Sequence, residues 1–370
     1  MAQMRTALFL VLGLGLLGAS WASAQEVRFF DTMSGANFVQ WWQTNAIAAY
    51  QKEAGTAVKY ASTGSAEILQ RIKAAEAGKG DIDLLFLAPD KIAGFLNEGV
   101  LEDLRRYGAL MPNMAKTEPP DNRVAAGTEL NGTGVPFFRY AYVLIYNADQ
   151  VKNPPQSWKE LYERRNEWKG RISYVDPRSP VSGSGRFFVA SFLKALGSDW
   201  GFTGGKEDAT WQPSWEKLAE FEKANFTKHA TSGGAHVGQF ATGEIWIGFH
   251  ALDFVEYSKK LGTVPPQIKT VMLKEGVPGG AGYLAIPKNI SEARKEAAAK
   301  FINFALSDKI QIDMVENMYE FPGTGVWDKL PESVYRVMPD KKTMQGTRLP
   351  DPPAQVLQYI PEVWAQKVGL

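Results

Sequence analysis

Seven short apolar runs, set between segments of helical periodicity, constrain this chain more than any other feature. They are Glu26-Val-Arg-Phe-Phe30, Ala57-Val-Lys-Tyr60, Ile82-Asp-Leu-Leu-Phe86, Ala141-Tyr-Val-Leu-Ile-Tyr146, Arg171-Ile-Ser-Tyr-Val175, Ile245-Trp-Ile-Gly-Phe249 and Gly282-Tyr-Leu-Ala-Ile286. Most are nearly continuous in apolar character, as strands buried on both faces require. Between several of them apolar residues recur at helical spacing. Phe38, Trp41, Trp42, Asn45, Ala48 and Ala49 form one such stripe, Ile68, Leu69, Ile72 and Ala75 a second, and Ala297, Ala298, Phe301, Ile302 and Ala305 a third. Alternation of this kind predicts an α/β protein with mainly parallel sheets.

A chain of 370 residues can bury a sizeable core and divide into about two domains. Its 41 Lys and Arg nearly balance its 40 Asp and Glu, so no global field draws it to nucleic acid or to an anionic membrane. With no cysteine, disulfides, thiolate metal sites and a Cys nucleophile are excluded. The first 24 residues read as a secretory leader. Arg5 gives a positive start, Ala7 to Leu17 is an unbroken apolar and Gly run, and Ala22-Ser-Ala24 is small where a signal peptidase reads. That run is shorter than the ~20 residues a span needs, and no Cys follows it to take a lipid. Cleavage after Ala24 removes Arg5 and no acid, leaving acids and bases equal in a product expected in a bacterial periplasm, without stable membrane insertion.

Two Gly/Pro clusters, Asn131-Gly-Thr-Gly-Val-Pro136 and Gly276-Val-Pro-Gly-Gly-Ala-Gly282, each feed a strand and suit two crossings between two lobes. Ser157 and Glu160 have the spacing of a capping box at a helix start.

Between these clusters, Pro136-Phe-Phe-Arg-Tyr-Ala-Tyr-Val-Leu-Ile-Tyr-Asn147 followed by Asn153-Pro-Pro-Gln-Ser-Trp158 resembles the crossover segment of family 1 extracellular solute-binding proteins, the periplasmic receptors of ABC importers. Ser62-Thr-Gly-Ser65, Leu87-Ala-Pro-Asp90, Asp176-Pro-Arg-Ser179, Ser182-Gly-Ser-Gly185 and Gly282-Tyr-Leu-Ala-Ile-Pro287 extend the likeness in order along the chain. The Asp-Pro-Arg-Ser segment is most similar to the branch holding thiamine, ferric-iron and polyamine receptors.

The resemblance implies a two-lobed periplasmic-binding-protein fold of type II kind, each lobe a mainly parallel sheet flanked by helices, with a ligand cleft at the hinge. Mapped here, lobe one is 25–137 with a return from about 285 to 320, and lobe two is 142–280. The remainder, about 321–370, is a helical tail of unassigned lobe. The implied function is capture of a compact polar solute, thiamine-like or a polyamine, by a monomer that closes on it and delivers it to an importer permease. No cofactor and no catalysis are implied. The competing reading is an exported hydrolase, for which Ser191-Phe-Leu-Lys194 offers a Ser-x-x-Lys match, but the partner motifs that should accompany it are missing.

Candidate contacts follow the strand ends. Thr32 and Ser34 come after the first strand, and Ser34 either meets ligand or caps the next helix. Gly64 and Ser65 hold the equivalent place after the second strand, where Gly64 would admit a ligand to the backbone and Ser65 could cap. Asp90 could receive a cation or cap its helix. Tyr140 and Tyr142, two apart on a strand, share a face that is either cleft or core, and Arg139 alternates with them. Ser182 and Ser184 at the start of a helix, with Arg178 before them and Arg186 after, suggest an anion site, and Gly183 and Gly185 on either side of Ser184 would clear room for a ligand. Phe249, His250 and Asp253 lie just past another strand. No partners at ligand spacing surround His250, so a metal there is not expected. Tyr283 would either close over ligand or pack. The absence of a Tyr-Tyr pair argues against ferric iron, whereas Asp31, Asp90 and Asp253 beside aromatic rings suit a cation.

Overall fold

The computed structural model describes residues 26–225, 228–346 and 349–369, and the expected leader lies outside them. β1 (Val27–Asp31) is flanked in parallel by β2 (Val58–Ser62) and β3 (Leu84–Leu87). The connections are helical. α1 (Ala36–Trp41) runs through a π-helical stretch into α2 (Ala48–Ala54), and α3 (Ser65–Ala74) links β2 to β3. α4 (Pro89–Asn97) follows β3, with Pro89 in the first turn, where its missing N–H is not needed. A small hairpin, β4 (Val124–Ala125) with β5 (Thr128–Glu129), leads to the strand that organises the molecule.

That strand is β6 (Val135–Asn147), thirteen residues long. Its first half pairs antiparallel with β11 (Gly279–Ala285) and β12 (Phe321–Pro322). From Tyr142 onward it pairs instead with β9 (Ile247–Ala251) and β10 (Ile268–Val271). One strand therefore belongs to two sheets, and the lobes join where its partners change, between Ala141 and Tyr142. β11 also pairs with β3, giving the order β10-β6-β11-β3-β1-β2.

The α/β class and two-lobed architecture are as expected, but strand direction is not. Among the described residues, parallel ladders are confined to β2-β1-β3, and every strand ladder with β6 or β11 is antiparallel. In the second lobe the parallel contacts are the bridges Ile172–Ile247 and Val175–Ala230. A strand that threads both lobes is answered by chain running back past it, and such pairs are antiparallel. Continuous apolar runs mark burial on both faces and carry no direction.

Around the second sheet lie α5 (Trp158–Glu163), α6 (Ser184–Ala195), the hairpin β7 (Phe202–Thr203) with β8 (Lys206–Glu207), α7 (Trp211–Asn225), α8 (Gly233–Ala241) and α9 (Leu252–Lys260). Ser157 caps α5 by accepting from Glu160 N at 2.9 Å, while the Glu160 carboxylate reaches one residue further back, to Gln156 N. α10 (Glu292–Ala305) and α11 (Asp308–Met318) return to the first lobe. There Phe301 joins Phe29, Trp42 and Phe137 in one aromatic core, with the Trp42 and Phe137 centroids 4.6 Å apart. Trp41 and Trp42 are thus packing residues, as their helical spacing implies.

The tail is divided. α12 (Lys341–Gly346) puts Met344 into the first core. α13 (Ala354–Val368) puts Trp364 into the second, where its indole donates to the Tyr174 hydroxyl at 3.2 Å. The chain therefore passes between the lobes a third time after α12.

Candidate functional site: the cleft between the lobes

A cavity of about 810 Å³ opens between the lobes. One wall is the turn after β1 and the start of α4. The other is formed by the first turns of α6 and α9, and the floor by Phe138, Tyr140 and Tyr142 of β6. Strand ends and helix starts that face each other in this way supply unpaired N–H groups and short loops. A larger hollow of about 1170 Å³, outside this junction and lined by Lys259, Lys269 and Arg336 among others, brings no strand end to a helix start.

In the first wall, the buried Asp31 carboxylate accepts from Met33 N at 2.8 Å and Ser34 N at 2.9 Å, which fixes the turn. Thr32 lines the cavity, but its hydroxyl donates to Phe86 O at 3.1 Å. Ser34 lines it too. The α1 cap is Gly35, with no side-chain bond, so the capping role considered for Ser34 is not the one it has. Its hydroxyl is buried with no partner among the described residues. Asp90, second residue of α4, reaches the cavity and pairs with Lys91 at 2.8 Å. Gly64 and Ser65 lie outside the lining. Gly64 is the backbone cap of α3 and Ser65 its first residue.

Tyr140 and Tyr142 both face the cavity, their rings edge to face with centroids 5.5 Å apart. Tyr142 packs on Phe187 at 4.7 Å and stacks over Phe249 at 5.7 Å. Burial raises both phenols far above physiological pH, so they act as neutral hydrogen-bonding groups with open ring edges. Arg139, on the opposite face of β6, is buried away from the cavity.

The start of α6 differs from expectation in two respects. Ser182 and Gly183 line the cavity, and the hydroxyl of Ser182 lies 3.0 Å from that of the buried Ser184. Gly185, however, clears no room for ligand. A Cβ there would sit 1.8 Å from Val175 O, so this glycine lets α6 approach the neighbouring strand segment. Arg178 is also misplaced in the sequence reading. Asp176 takes its backbone N–H at 2.8 Å and its guanidinium at 2.7 and 3.0 Å, and it lies over the Trp364 ring outside the lining. An Asp two residues upstream closes such a turn on itself before any ligand is involved. The cation that does line the cavity from α6 is Arg186.

Phe249 lies behind Tyr142 and is fully buried. His250 is buried next to it, accepts from Ala251 N at 2.8 Å, and is pushed down to about 3 by desolvation, which keeps it neutral. Tyr283 takes the packing role, buried with its hydroxyl donating to Val124 O at 3.2 Å. Asp253, second residue of α9, does line the cavity.

Sequence reasoning missed Glu320. It follows Tyr319, whose left-handed backbone (φ 59°) ends α11 and turns the chain into the cleft. Glu320 is buried within hydrogen-bonding reach of Asp253, and burial with that neighbouring charge raises it far above the usual carboxylate range. Asp253 is pushed up to about 6, chiefly by desolvation. Nothing in Met318-Tyr-Glu-Phe-Pro322 announces this; only the fold brings the two acids together.

Among the described residues, no cluster of three His, Cys, Asp or Glu is placed to hold a metal ion, and no helix is long and apolar enough to cross a membrane. Ser191, the nucleophile of the hydrolase reading, is sealed in α6 with no exposure, and Lys194 turns to Asp199 and the Trp200 ring.

The family described as bacterial extracellular solute-binding protein matches residues 45–328. The thiamine-binding periplasmic protein of Escherichia coli K12 is 44% identical over 90 residues, 24% of this chain and 23% of that protein. Its Salmonella typhimurium counterpart is 42% identical over 55 residues, 15% of this chain and 16% of that protein. These matches therefore span less than a quarter of either curated relative. Among solved structures, a putative extracellular solute-binding protein from Bordetella parapertussis superposes with a TM-score of 0.73 at 16% identity, covering 93% of this chain and 98% of that one, a likeness of fold.

Proposed function

The chain belongs to the bacterial extracellular solute-binding proteins, and from that premise we propose that it is the periplasmic capture component of an ABC importer for a thiamine-like organic cation. The observation that carries the ligand class is the conjunction of Asp253 and Glu320 with the Tyr140 and Tyr142 rings on one cleft floor. Aromatic rings attract a delocalised cation, and buried carboxylates that lack a counter-charge complete the attraction. A volume of about 810 Å³ suits a ligand of that size. The partial likeness to thiamine-binding proteins supports the same choice.

A second element is anionic recognition. Ser182, Gly183 and Arg186 present hydroxyl, backbone and guanidinium donors at the start of α6, in the wall that also holds the start of α9. A cation carrying a phosphate tail uses both ends, so thiamine phosphates fit the reading as well as thiamine.

Capture works by closure about β6, β11 and the third crossing, with 25–137 and about 285–320 moving against 142–280. Closure excludes water from the ion pairs and gives the permease a distinct shape to recognise. The protein acts as a monomer after loss of its leader. Mass spectrometry of small molecules released from gently purified protein tests the ligand class: a thiamine compound supports it, and a sugar or a bare metal ion overturns it.

A further inference from the structure

Asp253 and Glu320 come from distant parts of the chain, α9 and the turn after α11, and meet at the cleft floor. Each has an oxygen, Asp253 Oδ1 and Glu320 Oε2, that is buried and has no hydrogen-bond partner among the described residues. Two carboxylates in reach of each other hold only acceptors, so something must supply a donor. The groups around them do not supply a cation. Tyr142 and Tyr140 face them from β6 as neutral phenols, and on α4 Asp90 and Lys91 are paired with each other at 2.8 Å. His250, three residues before Asp253, is neutral and engaged with Ala251 N. On α9, Lys259 pairs with Glu256 and Lys260 lies over the Tyr319 ring. Arg186 also lines the cleft, from α6, and its charge acts on Tyr142.

Resting on the ligand class proposed above, we infer that Asp253 and Glu320 share one proton in the empty cleft and that a bound cation takes its place. The step balances. The O–H bond of the shared proton breaks, the proton passes to solvent base, and both carboxylates then face the ligand's charge. One positive charge leaves as another arrives, so the net charge of a low-dielectric site stays constant. Leaving both acids ionised without either cation would place two like charges together in that medium.

Two measurements test this. The first needs no ligand: an infrared difference spectrum between the native protein and Glu320→Gln near pH 7. A protonated-carboxyl band present in the native protein and lost in the variant is expected, and its absence overturns the inference. Asp253→Asn serves the same purpose if Glu320→Gln does not fold. The second is calorimetry with thiamine, whose thiazolium charge does not titrate, in two buffers of different ionisation enthalpy. Release of about one proton per thiamine is expected near pH 7, with affinity rising about tenfold per pH unit while that proton is released. Release should fade at higher pH and vanish in Glu320→Gln. Binding without proton release overturns the inference and leaves the ligand reading standing. Failure of thiamine to bind at any pH overturns the ligand reading, while the infrared spectrum still decides whether the proton is there.

Discussion

Arg139, on the strand shared by both lobes, holds Asp351 at 2.7 Å and Asp121 at 2.7 Å, with all three side chains largely buried. Asp351 lies on the third crossing and Asp121 in the first lobe, so one guanidinium ties the hinge strand to two other segments. Arg139→Ala would leave two carboxylates without their shared cation. It should destabilise the protein by about 3 kcal/mol in urea unfolding, since breaking a buried pair strands the remaining charge. A loss within error would mean the two acids relax into water.

Gly185 tests packing against ligand clearance. Gly185→Ala drives a methyl into Val175 O and should cost about 1–3 kcal/mol of stability, read from the urea midpoint. A stable variant with altered ligand affinity would instead return Gly185 to the binding surface.

The two arginines near α6 should separate cleanly. Arg186→Ala should weaken thiamine phosphate at least tenfold and thiamine itself much less, because a phosphate contact is lost. Arg178→Ala should leave both affinities unchanged, its guanidinium being bound to Asp176 outside the cleft. Calorimetric titration of both ligands checks the pattern, and a strong Arg178 effect would contradict the placement.

Glu320→Gln should also change how stability depends on pH. Glu320 and Asp253 are both raised in the folded state, so the native protein binds more protons than the unfolded chain between the ordinary carboxylate range and the pair's higher one. Stability of the native protein therefore falls as pH rises through that window. The variant should gain about 1–2 kcal/mol near pH 8 and much less near pH 5. Thermal melts at the two values check this, and an equal effect at both would refute the linkage.

Much of the fold was legible because burial leaves a pattern. The apolar runs at 82–86 and 141–146 mark strands closed on both faces, and the Phe38 and Ala297 stripes mark helices with one apolar side. Direction was not legible, since parallel and antiparallel buried strands carry the same runs. Within the site, the sequence singled out positions at strand ends, and Thr32, Ser34, Asp90, Tyr140, Tyr142, Ser182 and Asp253 do lie in the cavity lining. Arg178 and Tyr283 point elsewhere because other partners, Asp176 two residues upstream and the distant Val124 O, take their polar groups. Glu320 escaped notice because its role comes from a neighbour sixty-seven positions away in sequence, Asp253.

The proposed ligand of the cleft is a thiamine-like cation held by Tyr140, Tyr142, Asp253 and Glu320. Calorimetric titration of the leaderless, ligand-free protein with thiamine tests it most directly. One saturable site of micromolar affinity or tighter is expected, weakened at least tenfold by Tyr142→Ala. No binding at millimolar thiamine, or binding indifferent to Tyr142→Ala, would contradict it.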